Sequence, residues 1–230
     1  MISYLIPICF VIQSGAPASA VGLPAKEALR QASEARYVLS DLSSLSARFE
    51  VRTDEGAFTG KVSWNRAEGL KVEMAQNGEA AEDLRNRVLS LLQHRLPNDF
   101  ESGDGRYNLA WTGDENAIGK QIALNDALQS KYRVRDGAIV EVDRTLGETR
   151  LVVNVLEFER VAGGKHLPKT LIVSYFDAAS GALKRSETMM DSYRTVDGVI
   201  VPASRRVIVV QDGTVRALEI LLTEFQIERK

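Results

Sequence analysis

The chain has 230 residues, of which 44% are apolar and 26% charged, an ordinary globular composition that excludes disordered and fibrous classes. Its 29 Lys and Arg residues nearly balance 31 Asp and Glu, giving a net charge of −2, and no basic block could neutralise a row of phosphates. Nucleic acid is therefore not an expected partner, and the length suits one all-β domain.

The first twenty residues are predicted to form a signal peptide. Residues 2–12 are almost wholly apolar, and Ala18-Ser19-Ala20 supplies the small-x-small pattern that signal peptidase recognises. We expect cleavage after Ala20, a periplasmic or extracellular location, and a single mature domain of residues 21–230. The apolar run is too short to span a bilayer, so no stable transmembrane segment is expected in the mature chain. The alternative is a buried N-terminal strand.

The single cysteine, Cys9, lies inside this segment. A mature chain without it has no disulfide, no thiolate metal site and no cysteine nucleophile. We expect neither a metal nor a cofactor.

A helix is predicted at the start of the mature chain. Pro24 suits a first helical turn, and apolar residues then recur at helical spacing through Ala28, Ala32, Ala35, Leu39 and Leu42. From Leu45 to Val51 the period changes to two, which predicts a strand, and Phe58 to Trp64 and Leu70 to Met74 predict two more.

A second helix is predicted to follow, with Asn77 as its cap, His94 and Arg95 at its negative end, and Pro97 beyond them. Its apolar stripe should lie against the sheet and consists of Leu84, Val88, Leu91 and Leu92.

The rest of the chain is predicted to be a β-meander. Its expected turns are Gly113-Asp114, Asp136-Gly137, Gly163-Gly164, Ser180-Gly181, Asp197-Gly198 and Asp212-Gly213. For the second of these turns we predict a three-residue loop, 135–137, that sets Lys131 opposite Glu141.

Four late segments are apolar on both faces: 151–156, 171–176, 207–210 and 218–222. Two helices can cover only part of one face of a sheet. The pattern therefore requires a sheet that curls on itself, encloses a ligand cavity or meets a partner.

Common catalytic signatures are missing: the sequence has no H-x-x-x-H, no G-x-S-x-G, no phosphate loop and no dinucleotide fingerprint. His94 is the best candidate for a catalytic base, and a cation at a helix C-terminus is its competing role. We expect no enzyme activity.

Apolar and aromatic side chains on the inward faces are the candidate lining of a ligand cavity, with plain core as the alternative. They are Phe49, Phe58, Val62, Trp64, Trp111, Tyr132, Leu84, Val88 and Leu91.

The element order and the segment from Tyr193 to Pro202 resemble the half-barrel of the bacterial lipoprotein-carrier superfamily. Short motifs also look similar to the uncharacterised domain-of-unknown-function family 3386, namely Phe58-Thr59-Gly60-Lys61-Val62, His94-Arg95, Tyr132-Arg133-Val134-Arg135 and Glu141-Val142-Asp143-Arg144. The resemblance implies a mainly β (α+β) fold. It would be a strongly curved antiparallel half-barrel of about eleven strands, with an N-terminal helix and a second helix on the concave face. The resemblance implies no activity, substrate or catalytic residue.

Two functions remain open. The first is an exported, non-catalytic carrier or sensor of a lipid or other apolar ligand. The alternative is an interaction or assembly module of the cell envelope, in which the late strands meet another protein. An enzyme built from scattered acidic residues and His94 is the third reading.

Overall fold

The computed structural model describes residues 23–230, so the predicted signal peptide lies outside the described residues. The described residues form two α-helices, α1 (Ala25–Glu34) and α2 (Glu79–Gln93), and two short 3₁₀ helices, Asp104–Arg106 and Ala162–Gly164. The strands are β1 (Leu42–Thr53), β2 (Gly56–Asn65), β3 (Gly69–Met74), β4 (Leu109–Asn116), β5 (Gly119–Leu124), β6 (Lys131–Arg135), β7 (Ala138–Leu146), β8 (Thr149–Arg160), β9 (His166–Asp177), β10 (Leu183–Val196), β11 (Val199–Gln211) and β12 (Thr214–Arg229).

All twelve strands belong to one antiparallel sheet in the order β3-β2-β1-β12-β11-β10-β9-β8-β7-β6-β5-β4. Consecutive strands pair throughout except β3 and β4, and β12 returns to pair with β1, which joins the N-terminal strands to the long meander. The edge strands β3 and β4 are connected along the chain by the segment that contains α2. This confirms the predicted curved antiparallel fold, with twelve strands where about eleven were expected.

Both helices lie on the concave face. Under α2, Val88, Leu91 and Leu92 are fully buried in a cluster with residues of β1, β2, β11 and β12. Under α1, Leu29 packs in a separate cluster with Ile122 of β5. Full burial of such a side chain contributes about 1.5–3 kcal/mol, so these two contacts hold the helices on the sheet.

Helix α1 is shorter than its apolar stripe predicts. It ends at Glu34, because Ala35 and the residues after it pair with β9 instead: the His166 N–H donates to the Ala35 carbonyl at 3.0 Å, and the Tyr37 N–H donates to the His166 carbonyl at 2.9 Å. Leu39 is in the linker and Leu42 begins β1, although both are buried. Pairing with β9 therefore ends the helix before its apolar pattern ends.

The predicted cap of α2 is also wrong. Gly78, with a φ of 103°, occupies the N-cap position, and no side chain caps the helix. The Asn77 side-chain oxygen instead accepts a hydrogen bond from Arg85 at 3.2 Å. Glycine reaches this positive φ at little steric cost, which frees Asn77 for that contact.

The β6–β7 hairpin has a different register from the predicted one. Asp136 and Gly137, with φ of 51° and 72°, form a two-residue turn, so Arg135 pairs with Ala138 and Lys131 faces Asp143. A shift in register between Arg133 and Val134 then keeps the apolar positions on one face. The predicted three-residue loop is therefore wrong. The hairpin has a two-residue turn, and a β-bulge keeps the apolar side chains of both strands on one face.

Five of the six predicted turns join consecutive strands, and Gly113-Asp114 does not. It lies within β4 at a break in the pairing with β5, and that hairpin turns at Ala117 and Ile118. A further turn at Gly147 and Glu148 separates β7 from β8 and accounts for an additional strand. Glycine favours turns and bulges alike, so its position alone does not distinguish them.

The late strands that are apolar on both faces are covered on only one of them. Outward-facing Ile208 and Val210 are 39% and 46% exposed, whereas inward-facing Val207 is 1% exposed. Within residues 23–230 the sheet does not fold over its own outer side. The described residues therefore do not bury the outer face of these strands.

Candidate functional site

A cavity of about 610 Å³ opens on the concave side at one end of the half-barrel. It lies between the N-terminal part of α2 and the turns that join β1 to β2 and β11 to β12. Its apolar wall is formed by Phe58, Leu84, Val209 and Leu218. The volume falls within the range of small-molecule sites, and the wall offers an apolar chain a surface away from water.

The cavity continues onto an apolar surface that we call the central floor. Its buried members are Leu171, Val173, Met189 and Val207, on strands β9 to β11. Partly buried neighbours extend it in both directions, namely Leu151, Val153, Tyr175, Val209 and Leu218. Val209 and Leu218 also line the cavity, so the two surfaces are continuous.

Charged side chains also line the cavity, among them Asp83, Arg87 and Arg185, and Glu187 lies behind them. Glu187 is 1% exposed and accepts a hydrogen bond from Arg87 at 2.9 Å, while Arg87 also donates to Asp83 at 2.7 Å. Burial opposes the charge on Arg87, but these two carboxylates outweigh that cost and raise the pKa of its guanidinium. A paired glutamate, rather than a free one, therefore lies beneath the cavity.

Arg185 is the third of these charged side chains. Its Nε lies 3.3 Å from Glu187 Oε1, yet at an angle that leaves this buried N–H without a hydrogen bond. Its guanidinium lies 4.1 Å from the centre of the Tyr175 ring. Burial, followed by the nearby Glu187 carboxylate, raises the pKa of the Tyr175 phenol, which keeps its proton at neutral pH.

The residues predicted to line a cavity are divided among several places. Phe58 and Leu84 line the cavity described above. The packed cluster under α2 contains five others: Phe49, Val62, Trp64, Val88 and Leu91. Tyr132 is buried in the α1 cluster.

Trp111 lies at the edge of the molecule. It is 38% exposed, and its indole N–H donates to the Leu23 carbonyl at 2.9 Å.

Two residues that line the cavity, Val209 and Leu218, were not predicted as site residues. Both lie in the late segments 207–210 and 218–222, which are apolar on both faces. Because side chains of a strand point alternately to its two faces, the alternation within those segments could have assigned these two residues to the concave face.

A second polar group of residues lies where the C-terminal ends of the two helices approach the sheet. We call it the basic cluster, and it comprises Arg36, His94, Arg95, Arg144 and Arg205. Two carboxylates are paired with it: Asp191 accepts two hydrogen bonds from Arg205, at 2.6 and 2.8 Å, and Asp104 accepts one from Arg144 at 3.2 Å.

Two tyrosines complete the surroundings of the cluster. The Tyr132 hydroxyl donates to Asp104 at 2.6 Å and accepts from Arg144. The Tyr193 hydroxyl accepts from Arg95 at 3.0 Å and donates to the Pro168 carbonyl at 2.5 Å. Burial is the main reason that the Tyr193 pKa is raised to about 12. Both phenols are therefore protonated donors near pH 7.

His94 does not serve as the expected helix-end cation. The residue is exposed to solvent, but neighbouring protein atoms still remove part of the hydration of its ring. This desolvation, together with Arg95, Arg205, Arg36 and Arg144, lowers its pKa to about 4. The ring is thus neutral near pH 7 because the surrounding charge is already positive.

Within residues 23–230, no three His, Cys, Asp or Glu side chains are arranged to hold a metal ion. The described helices include none that is long and apolar enough to cross a membrane. The geometry therefore defines a half-barrel with a cavity lined by both apolar and charged side chains, and a separate cationic cluster.

Comparison with known proteins identifies the family. The profile of the family described as "Protein of unknown function (DUF3386)" matches residues 21–227, and the chain belongs to that family. This confirms the resemblance noted from the short motifs. No curated protein matches the chain.

Three solved structures show a distant likeness. A LolA superfamily protein from Nitrosomonas europaea is 11% identical, with 91% of this chain and 96% of that one covered and a TM-score of 0.36. A domain named for outer-membrane lipoprotein sorting, from Vibrio parahaemolyticus, is 10% identical over 89% and 92%, with a TM-score of 0.38. A DUF1329 family protein from Desulfovibrio piger is 12% identical over 90% and 94%, with a TM-score of 0.31. Scores this low carry no argument about function.

Proposed function

We propose that the protein is an exported, non-catalytic carrier or sensor that binds a lipid or other apolar ligand inside the half-barrel. The observation that supports this most strongly is the continuity between the cavity and the central floor, a stretch of concave face that includes partly exposed apolar side chains between the two helix-covered regions. Partly exposed apolar surface of this kind favours binding of an apolar molecule.

A pair of variants on one strand tests this proposal. Val209 lines the cavity, and its neighbour Ile208 points to the outer side of the same strand. We expect Val209→Lys to weaken binding of a fluorescent fatty acid about tenfold or more, because it places an ammonium group in the apolar wall. Ile208→Lys should leave the affinity unchanged. Equal affinities in both variants would contradict the assigned site.

A second pair avoids disturbing the sheet. Ala80 is exposed on α2 and lines the cavity, whereas Asn86 is exposed on the same helix outside it. Ala80→Trp should fill space that the ligand occupies, and Asn86→Trp should not. If both proteins keep the melting temperature of the wild type and only Ala80→Trp loses fatty-acid binding, the cavity is the binding site.

Export is part of the same proposal. It is supported by the apolar segment 2–12 and by Ala18-Ser19-Ala20. Expression of the full chain in a bacterium, followed by N-terminal sequencing of the product in the periplasm, should give Val21 as the first residue. A product that stays in the cytoplasm with its N-terminal segment intact would refute it.

The outer side of the sheet favours a second candidate function, an interaction module. Outward-facing Ile208, Val210 and Val215 lie near the β11–β12 turn, and Val215 is 68% exposed. An apolar patch of this kind is typical of a protein contact surface. Sedimentation of the wild type and of Val210→Lys would test this: a self-association that only the wild type shows would support the module, and a strict monomer in both would oppose self-association through the patch.

A further inference from the structure

The basic cluster carries more positive charge than its own carboxylates balance. Its four arginines face Asp104 and Asp191, and His94 is neutral, so two positive charges remain. The C-terminal ends of α1 and α2 are nearby, and each supplies roughly half a negative charge. A surplus of about one positive charge is left after both helix ends are counted.

The surplus is concentrated at Arg36 and Arg95. Arg36 donates only to Ser33, through its backbone carbonyl at 3.2 Å and its hydroxyl at 3.3 Å. Arg95 approaches Asp191 no closer than 4.0 Å, and Asp191 is already occupied by Arg205. These two guanidiniums therefore have no carboxylate of their own among the described contacts.

Arg95 shows that this part of the site is built for an acceptor. The residue is 4% exposed, and its buried Nε has no hydrogen-bond partner among the described residues; the buried Nε of Arg144 has none either. A buried guanidinium N–H that lacks an acceptor is costly, and more so beside other cations. Each such group is stabilised by an anion that can accept hydrogen bonds.

The effect of the surplus is visible on both histidines of the protein. Desolvation lowers the pKa of His94 and of His166, and Arg36 and Arg95 are among the charges that lower both further. Arg95 likewise lowers the pKa of Arg36, after desolvation. Two histidines on different elements thus experience the same positive field.

The cluster borders the central floor. On β10, Asp191 follows Met189 by two residues on the same face, and on β11, Arg205 precedes Val207 in the same way. Alternate residues of a strand are separated by roughly 7 Å. An apolar chain on the floor could therefore end beside the arginines without leaving the concave face.

We propose that the basic cluster binds an oxyanion, and that the ligand is an amphipathic molecule with a carboxylate or phosphate group at Arg36 and Arg95 and an apolar part on the central floor. The anion site stands on the charges of the cluster alone, whereas placement of the apolar part rests on the function proposed above. The lining of the cavity, at the other end of the floor, has five carboxylates against three arginines, which makes that end less favourable for the anionic group.

A comparison of a saturated fatty acid with the alcohol of the same chain length tests the preference for an anion. Both carry the same apolar chain, and only the acid is ionised at neutral pH. We expect the acid to bind about tenfold or more tightly than the alcohol, as charge-assisted hydrogen bonds to arginine imply. Arg36→Gln should weaken binding of the acid about tenfold and leave the alcohol unchanged.

Two matched variants separate charge from structure. Arg36→Lys keeps the charge and should retain most of the preference for the acid. Arg30→Gln removes an arginine of α1 that pairs with Glu27 and Glu34 outside the cluster, and should change neither affinity. Equal affinity of the wild type for acid and alcohol, or an equal loss of both in Arg36→Gln, would overturn the inference.

Inorganic phosphate serves as the probe without an apolar chain. If phosphate raises the melting temperature of the wild type but not of Arg36→Gln, and no acyl compound binds, the anion site stands, its ligand is a free anion, and the carrier function fails. If acid and alcohol bind equally and phosphate has no effect, the carrier stands and the anion site fails. If none of the three binds, both proposals fail.

Discussion

The region under α2 and the central floor belong to the same concave face but differ in cover. Under α2, side chains of the helix and of four strands interlock, and Val51, Val62, Val88, Leu91 and Ile220 are fully buried. On the floor, four residues reach 1–9% exposure while their neighbours stay only half-buried. A sheet face can thus serve stability where a helix covers it and remain free for a ligand where none does.

We expect the largest loss of stability at a buried ion pair that lies between the two regions. Asp191 and Arg205 are 4% and 5% exposed and share two hydrogen bonds. Asp191→Ala would leave Arg205 buried without its carboxylate and with only the Ser90 hydroxyl as a side-chain acceptor, so the free energy of unfolding should fall by about 3–5 kcal/mol in urea titrations. Lys169→Ala, which removes an exposed pair with Glu157, should cause no measurable change. Similar losses in both variants would contradict this account.

Leucine truncations test the comparison directly. Leu91 is fully buried under α2, and Leu151 is a partly buried member of the floor. Leu91→Ala should lower the free energy of unfolding by about 3–5 kcal/mol, since the surrounding core cannot close the cavity. Leu151→Ala should cost about 1–2 kcal/mol, because less of its surface leaves water on folding. Equal costs in chemical denaturation would mean that the floor is as tightly packed as the α2 region.

Gly60 probes how little room the packed region has. A Cβ atom at this position would overlap the Phe49 ring and the carbonyl oxygen of Glu73. Gly60→Ala should therefore cost about 1–3 kcal/mol of stability through overpacking. The matched control is Thr59→Ala, at the exposed neighbouring position on β2. A Gly60→Ala protein as stable as its control would show that Phe49 can move aside.

The last effect concerns the pH dependence of stability at the basic cluster. The pKa of His94 is lowered from 6.5 to about 4 in the folded protein. As the pH falls through this range, the unfolded chain takes up a proton that the folded chain does not, so the free energy of unfolding falls. His94→Gln should flatten this slope relative to the wild type in denaturation curves recorded between these two values. Parallel slopes would mean that neither burial nor the neighbouring arginines lower the pKa of His94 in the folded protein.

The strand pattern was largely predictable, because alternation and turn residues are local signals. The three N-terminal strands, both helices and five turns follow from residues close together in the chain. The end of α1 could not be predicted from such local signals, because it depends on pairing between Tyr37 and His166, which are far apart in the sequence. The bulge in β7 was also not predicted, because a three-residue loop and a two-residue turn with a bulge both keep apolar residues of the two strands on one face.

The candidate site was harder to predict for the same reason. Aromatic residues such as Trp64 and Phe49 suggested a pocket, yet α2 packs on them and makes them core. The cavity instead lies at Val209 and Leu218, which are only partly buried beside the N-terminal part of α2. Arg36 and Arg95, separated in sequence, become neighbours only through the positions of the two helix ends.

The central claim is that the uncovered part of the concave face binds an amphipathic ligand. It is tested most directly by native mass spectrometry of residues 21–230, purified without detergent from the envelope of the cells that make the protein. We predict a mass above that of the bare chain that returns to the bare mass after organic extraction, with an acidic lipid in the extract. A bare chain from that source, which also binds no fatty acid when one is added, would contradict the account.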